Sequence, residues 1–119
     1  MRKNENQNRL RNNFMERQKD VNENMRRILV DWLLRVHYNF KLSAETFFLA
    51  VSITDRYLSK VQAHKLNLQL IGVTALLIAS KYEDIYAIEI KSIVLICNKT
   101  YKREEILDME LSILITLDF

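Results

Sequence analysis

The chain has 119 residues, of which 49% are hydrophobic, and its 18 Lys and Arg against 15 Asp and Glu give a net charge of +3. This length fits one domain, and the apolar content excludes a chain that is disordered throughout. There is no proline and only one glycine. Because sandwiches, barrels and Rossmann folds need Gly or Pro at many turns, the composition predicts an all-α domain.

The positive charge is concentrated in the first third of the chain. Residues 1–41 hold ten Lys and Arg against five Asp and Glu. Such a segment could contact nucleic acid or an acidic partner, but its arginines alternate with asparagines, which favours a solvated helical face. The lone cysteine, Cys97, excludes an internal disulfide and fits a reducing compartment, and the polar first residues do not form a signal peptide.

The first long helix is predicted over about Val21 to Phe40. Residues 1–20 are polar and form an arm with at most a short helix, docked by Leu10 and Phe14. Asp20 and Glu23 have the spacing of a capping box. The apolar side chains that follow recur at helical spacing and are Met25, Ile28, Leu29, Trp32, Leu33, Val36 and Phe40.

The organising element is predicted to be the third helix, Leu68 to Tyr82. Ser43 should cap the second helix, a loop should cover Ser59 to Asn67, and Asn67 should cap the third. Since the third helix is apolar on every face and too short to cross a membrane, it should lie at the centre of a bundle.

Two further helices are predicted after this central one. A short link leads to a fourth helix from about Ile88 to Cys97, and the fifth opens at Thr100 with Glu104 and Glu105 in its first turn. The expected architecture is therefore a five-helix bundle over residues 21–119, preceded by the arm over residues 1–20.

No pattern for catalysis, metal or cofactor binding is present. His37 and His64 are far apart and have no ligand spacing with other residues, and one glycine cannot form a phosphate-binding loop. Cys97 lies on an apolar stripe and is predicted to be a core residue. We therefore expect a protein that is not an enzyme and needs no cofactor.

Several charged residues interrupt the apolar stripes. Arg26 and Asp55 fall within the first and second helices, and because buried charge is tolerated only when paired, we predict that they form an ion pair. Lys81 and Glu110 lie at helix ends or edges, and for them an ordinary solvated rim position remains open.

Four segments resemble conserved motifs of the cyclin family. The nine residues from Met25 to Leu33, MRRILVDWL, resemble the cyclin signature MRAILVDWL, and the DRYL beginning at Asp55 resembles DRFL. The LQLIGVTA from Leu68 and the ASKYED ending at Asp84 are similar to LQLVGVTA and ASKYEE of mitotic, B-type cyclins. The similarity runs without gaps from about residue 14 to residue 119. It corresponds to the N-terminal cyclin box, and the second box of a complete cyclin is expected outside this chain.

The resemblance implies a regulatory subunit that binds and activates a cyclin-dependent Ser/Thr kinase in cell-cycle control, in the nucleus and cytoplasm. The kinase-contacting residues of the family fall on Lys81 and Glu110, with Tyr82 and Glu83 beside them, and its buried ion pair falls on Arg26 and Asp55. The family's hydrophobic patch, which docks kinase substrates or inhibitors, falls on Met25, Ile28, Leu29, Trp32, Leu68 and Gln69, with Arg35 on its rim.

Two departures from the family pattern keep alternatives open. Arg35 replaces the usual Glu or Gln and should disfavour basic Arg-x-Leu peptides, while Tyr86-Ala87-Ile88 replaces Tyr-Pro-Pro and predicts a looser link. One alternative is therefore a cyclin-like scaffold that binds proteins without activating a kinase. Another is a transcription-factor cyclin fold that binds DNA, which Lys81 and Glu110 disfavour. No membrane partner is expected.

Overall fold

The computed structural model describes Met15 and residues 17–118. In this part of the chain there are five α-helices and one 3-10 turn, and no strand. The helices are α1 (Glu23–Asn39), α2 (Ala44–Lys60), α3 (Leu68–Glu83), α4 (Ile90–Ile96) and α5 (Arg103–Thr116), and the 3-10 turn is Lys65–Asn67. The predicted all-α, five-helix architecture is confirmed. The arm residues Leu10 and Phe14 lie outside the described residues.

Helix α3 is the centre of the bundle. Leu68 and every residue from Leu70 to Ser80 are buried, and α1, α2 and α5 all pack against it. Burial on every face explains why polar residues are absent from this run except for small ones. None of the described helices is both long and apolar enough to cross a bilayer.

The start of α1 differs from the prediction. The cap is Asn22, whose Oδ1 accepts a hydrogen bond from the Met25 N–H at 2.8 Å. The predicted capping role of Asp20 is wrong, because its Oδ2 accepts from the Lys65 N–H at 2.5 Å. Asp20 thus ties the segment before α1 to the turn before α3, a partner 45 residues away that sequence spacing does not reveal.

The predicted cap of α2 is confirmed, whereas the cap of α3 and the start of α5 differ from the prediction. Ser43 caps α2 as predicted, since its Oγ accepts from the Thr46 N–H at 3.2 Å. Asn67 precedes α3 but its side chain makes no capping bond, because the 3-10 turn continues directly into the helix. The fifth helix begins at Arg103 and not at Thr100, and the Glu105 carboxylate accepts from the N–H of its cap residue, Lys102, at 3.0 Å.

The bounds of α2 and α4 also differ from the prediction. Helix α2 continues to Lys60, so the predicted loop from Ser59 is shorter and is closed by the 3-10 turn, while α4 is limited to Ile90–Ile96. After α1, α4 and α5 the chain adopts left-handed backbone (φ between 54° and 58°) at residues other than glycine, namely Lys41, Asn98, Lys99 and Asp118. After α1, Lys41 and Leu42 donate their N–H groups to the Tyr38 and His37 carbonyls, which terminates the helix.

Candidate functional site

The end of α3 carries Lys81 out of the core and against α5. Ser80 is fully buried, and the Lys81 side chain, the next along the helix, is 48% exposed. Its Nζ donates to Glu110 Oε2 at 2.6 Å. The structure therefore brings these two predicted site residues together as an ion pair between the last turn of α3 and the middle of α5.

The two members of this ion pair differ in their exposure. The Glu110 side chain is only 14% exposed, so its carboxylate depends on Lys81 for much of its solvation. The Lys81 side chain is about half exposed, so it can offer its remaining N–H donors to another protein. The pair therefore helps to hold α5 on α3 and also presents charge at the surface.

Large apolar side chains follow Lys81 along the chain and flank Glu110 along α5. Tyr82, Ile85 and Tyr86 are 63%, 93% and 87% exposed, and Glu83 lies exposed among them. On α5, three leucines share the face of Glu110 at helical spacing, and these are Leu107, Leu111 and Leu114. Exposed apolar groups clustered at one end of a bundle indicate a protein-binding surface.

The exposed positions of Ile85, Leu107 and Leu111 were not predicted from the sequence. A signal for the two leucines exists in the sequence, because they flank Glu110 and fall outside the buried stripe of Ile106 and Ile113. Ile85 follows the last residues of α3 in a link with no helical periodicity, so no comparable signal marks it.

The link after α3 is fixed at both ends. Asp84 accepts hydrogen bonds from the Ser43 N–H at 3.2 Å and from the Thr46 hydroxyl. Ile88 is buried, and its N–H donates to the Ser80 Oγ at 3.2 Å. These contacts hold the exposed segment between them without the prolines that the family usually has.

Arg26 and Asp55 form a bidentate ion pair between α1 and α2, as predicted. Arg26 Nε lies 2.7 Å from Asp55 Oδ1, and its Nη2 lies 2.8 Å from Asp55 Oδ2. The two side chains are 10% and 19% exposed. The hydrogen bonds to Asp55 raise the pKa of Arg26 despite the opposing effect of its burial, so the guanidinium stays charged.

The residues assigned to the docking patch lie on α1 and the first turn of α3, but at different depths. Ile28 is 57% exposed and Arg35 is also exposed, whereas Met25, Trp32 and Gln69 are half-buried. Leu29 and Leu68 are buried and can only form the floor of this surface. The patch is thus an apolar strip whose most exposed hydrophobic member is Ile28.

Gly72 allows α1 and α3 to approach closely beneath this strip. A Cβ at Gly72 would lie 2.8 Å from Leu29 Cδ1 and 3.0 Å from Leu29 Cδ2. Gln69 and Leu68 lie one turn earlier on α3, so the Leu29–Gly72 contact sets the first turn of α3 beside the assigned patch residues of α1.

In the described part of the chain, no group of three or more His, Cys, Asp or Glu side chains could hold a metal ion. Cys97 is a buried member of the hydrophobic core, as predicted, and desolvation raises the pKa of its thiol to about 11. A neutral, enclosed thiol is a poor nucleophile at physiological pH.

The comparisons with known proteins agree with these features. A family profile described as the cyclin N-terminal domain matches residues 1–119. The chain is 48% identical to Cyclin-B2-3 of Arabidopsis thaliana over 107 residues, which are 90% of this chain and 25% of that protein. It is 50% identical to the G2/mitotic-specific cyclin-B of Dictyostelium discoideum over 106 residues, or 89% of this chain and 24% of the relative.

The fold is shared with a solved cyclin structure. A viral cyclin from herpesvirus saimiri superposes with a TM-score of 0.82 at 32% identity, over 88% of this chain and 46% of the viral chain. The present chain thus spans about a quarter of the length of these curated relatives. With the family profile covering the chain from end to end, the motifs of α1 and α3 and the helical bundle lead to one conclusion: the chain belongs to the cyclin family.

Proposed function

We propose that this chain is part of a regulatory subunit that binds and activates a cyclin-dependent Ser/Thr kinase during cell division. The observation that carries the proposal is the Lys81–Glu110 ion pair, set among exposed apolar side chains at one end of the bundle. Membership in the cyclin family and similarity to proteins named as G2/mitotic-specific cyclins support it. The chain acts by binding, with no chemical step of its own.

Binding would bury the apolar groups around the ion pair against the kinase. Tyr82, Ile85 and Leu111 would supply apolar contact. The hydrogen bond between Lys81 and Glu110 would be partly replaced by hydrogen bonds to polar groups of the kinase helix C. In kinases the position of helix C controls the Lys–Glu pair that holds ATP. A cyclin fixed against helix C and the activation segment therefore favours the active arrangement.

The docking strip of α1 would have a separate task, the recruitment of kinase substrates or inhibitors. Its apolar residues form a strip on α1 and the first turn of α3, and Arg35 gives the rim a positive charge. This surface therefore suits ligands that are less basic than Arg-x-Leu peptides. We further propose that the complex of this chain with its kinase acts in the nucleus and cytoplasm.

The test of kinase binding is a titration of the cognate kinase with the double variant Lys81→Ala with Glu110→Ala. Removing both residues avoids leaving a nearly buried carboxylate unpaired, so the bundle should stay folded. Loss of partly desolvated charged contacts costs ~2–5 kcal/mol of binding, which corresponds to a complex weaker by a factor of about 30 or more. Kinase activity towards a histone-type substrate should fall in parallel.

The control is Lys60→Ala with Lys65→Ala, two exposed lysines near the opposite end of α3. This variant should bind and activate like the parent, and circular dichroism should show equal helix content in all three proteins. If the Lys81 and Glu110 variant binds and activates normally, this surface is not the kinase site. If the parent chain binds without activating, the scaffold function is the correct one.

A further inference from the structure

A hydrogen-bond network joins the link between α3 and α4, residues 84–89, to the start of α2. One oxygen of the Asp84 carboxylate accepts from the Ser43 N–H at 3.2 Å, and the other accepts from the Thr46 hydroxyl. Thr46 is fully buried and lies 38 residues from Asp84 in the sequence. We call Ser43, Thr46 and Asp84 the Asp84 network.

The direction of each hydrogen bond in the Asp84 network follows from its groups. A carboxylate only accepts, so the single hydroxyl proton of Thr46 is directed at Asp84. The Ser43 hydroxyl, 2.9 Å from Thr46 Oγ1, therefore donates to that oxygen, and Ser43 Oγ in turn accepts from the Thr46 N–H at 3.2 Å. The buried hydroxyl of Thr46 is thus the donor that ties α2 to the second oxygen of Asp84.

Beyond Asp84 the link is exposed until it returns to the core. Ile85, Tyr86 and Ala87 are all exposed. The next attachment is Ile88, whose side chain is buried and whose N–H donates to the buried Ser80 Oγ at 3.2 Å. Since the chain contains no proline, no ring restricts the backbone of this segment. Its conformation therefore depends on the hydrogen bonds made at its two ends.

The Asp84 network lies at the point where α3 ends. The Asp84 N–H donates to the Ser80 carbonyl at 3.0 Å, so Asp84 closes the helical turn that carries Lys81. A carboxylate held on α2 fixes the direction in which Ile85 and Tyr86 leave that turn. These exposed side chains belong to the surface that we propose for kinase binding, whereas Thr46 is enclosed and cannot touch a partner.

We propose that Thr46 is a positioning residue whose hydroxyl, acting through Asp84, holds the link in the conformation that binds the kinase. This inference rests on the proposed function. A link that is already ordered in the free chain does not have to be ordered on binding, which favours a tight complex. If the link is loosened, the affinity falls by the fraction of chains that remain competent to bind. Once the kinase is saturated, its activity should be unchanged.

Three substitutions on α2 isolate the Thr46 hydroxyl. Thr46→Val removes it, and Thr46→Ser retains it and should restore the behaviour of the parent. The matched control is Thr54→Val, because Thr54 is also buried on α2 but its hydroxyl donates to the Ala50 carbonyl of the same helix at 2.8 Å. Circular dichroism and urea unfolding of all variants show whether they fold and how much stability each change costs.

The first measurement is amide hydrogen exchange in the free chain. In Thr46→Val the protected amides of Asp84 and Ile88 should exchange about tenfold faster relative to amides in the middle of α5, because a hydrogen bond to a charged group is lost at the link alone. Thr46→Ser and Thr54→Val should keep the ratio of the parent. An unchanged ratio in Thr46→Val would overturn the positioning role whether or not the kinase binds.

The second measurement is a titration of the cognate kinase with each chain. Thr46→Val should raise the Kd about tenfold and leave the kinase activity at saturation equal to that with the parent. Thr46→Ser and Thr54→Val should bind like the parent. Asp84→Ala should weaken binding to a similar extent, and combining it with Thr46→Val should add little, since both changes break the same hydrogen bond.

Several outcomes of the titration would overturn the inference. Normal affinity of Thr46→Val would show that the link needs no positioning, and an equal loss in Thr54→Val would assign the effect to the stability of α2. Additive losses for Thr46→Val and Asp84→Ala would mean that the two residues act independently. If the parent itself does not bind the kinase, the proposed function fails and the role in kinase binding fails with it. Binding by the parent together with normal affinity of Thr46→Val overturns the inference alone.

Discussion

Gly72 on α3 lies directly against the Leu29 side chain of α1, with no room for a Cβ between them. This contact brings the most buried helix of the bundle up to the helix that carries the assigned docking patch. Leu29 is only 5% exposed, so its side chain has little space into which it could retreat. The geometry of the α1 surface therefore depends on the absence of one methyl group in the core.

Gly72→Ala should destabilise the fold although alanine is the better helix former. Overpacking a core costs about 1–3 kcal/mol, which exceeds the gain of about 1 kcal/mol from helix propensity. Thermal and urea unfolding of the parent and the variant would measure the difference. A more stable variant would show that Leu29 moves aside freely.

The same contact predicts coupling between Gly72→Ala and Leu29→Ala. Alone, Leu29→Ala should cost about 2–5 kcal/mol because it leaves a cavity. In the Gly72→Ala background the new methyl group should fill part of that space, so the double variant should be more stable than the sum of the single effects predicts. Strict additivity of the two unfolding free energies would contradict the direct contact.

Asp55→Ala should strongly destabilise the bundle. Arg26 is only 8% exposed and lies between α1 and α2. The change leaves its charge in place and removes both hydrogen bonds to Asp55. Breaking a buried ion pair in this way costs about 3–5 kcal/mol. Urea unfolding is the measurement, and Arg26→Met with Asp55→Leu is the comparison, since it removes both charges and should recover much of the loss.

Arg35→Glu should strengthen binding of a basic Arg-x-Leu peptide to the α1 strip. The substitution replaces repulsion by attraction on an exposed rim, where a charge contributes about 1 kcal/mol or less. The affinity should therefore rise several-fold at low ionic strength, and the gain should shrink in high salt. Titration of both forms at two salt concentrations tests this, and equal affinities at low salt would mean that the peptide does not pass residue 35.

Burial of Cys97 predicts a loss of stability at alkaline pH. The folded thiol has a pKa raised to about 11 from 9.0, so between these values the unfolded chain releases the proton while the folded chain retains it. The stabilisation is fully present below pH 9 and is lost as the pH rises towards 11, by about 2–3 kcal/mol.

The measurement is the unfolding free energy of the parent and of Cys97→Ala from pH 8 to pH 11. The parent should lose more stability over this range than the variant does. Burial also raises the pKa of Tyr101, and the charge of the nearby Cys97 thiolate raises it further, so the difference between the two curves reports on Cys97 together with its effect on Tyr101. Parallel curves would show that the thiol is accessible to solvent in the folded chain.

Local features of the sequence were enough to predict five helices and the central position of α3. Helical periodicity is a local property, and so is the apolar run between Leu70 and Ala79, which only the small residues Gly72 and Thr74 interrupt. A helix that is apolar on all sides has to be buried on all sides. The cap at Ser43 was predictable for the same reason, since the serine and the N–H it accepts from are three residues apart. The pairing of Arg26 with Asp55 was proposed because a charge within an apolar stripe requires a partner.

Contacts between side chains that are far apart in the sequence depend on how the helices pack in the folded chain. The contact of Lys81 with Glu110, the close approach of Gly72 to Leu29 and the bond from Lys65 to Asp20 join residues 29, 43 and 45 positions apart. The residue type and spacing of Asp20 were compatible with a helix cap. In the folded chain, however, Asp20 accepts from the distant Lys65 N–H, and Asn22 caps α1. Such choices depend on how the helices are arranged around α3, because a polar side chain bonds to whichever donor packing brings within about 3 Å.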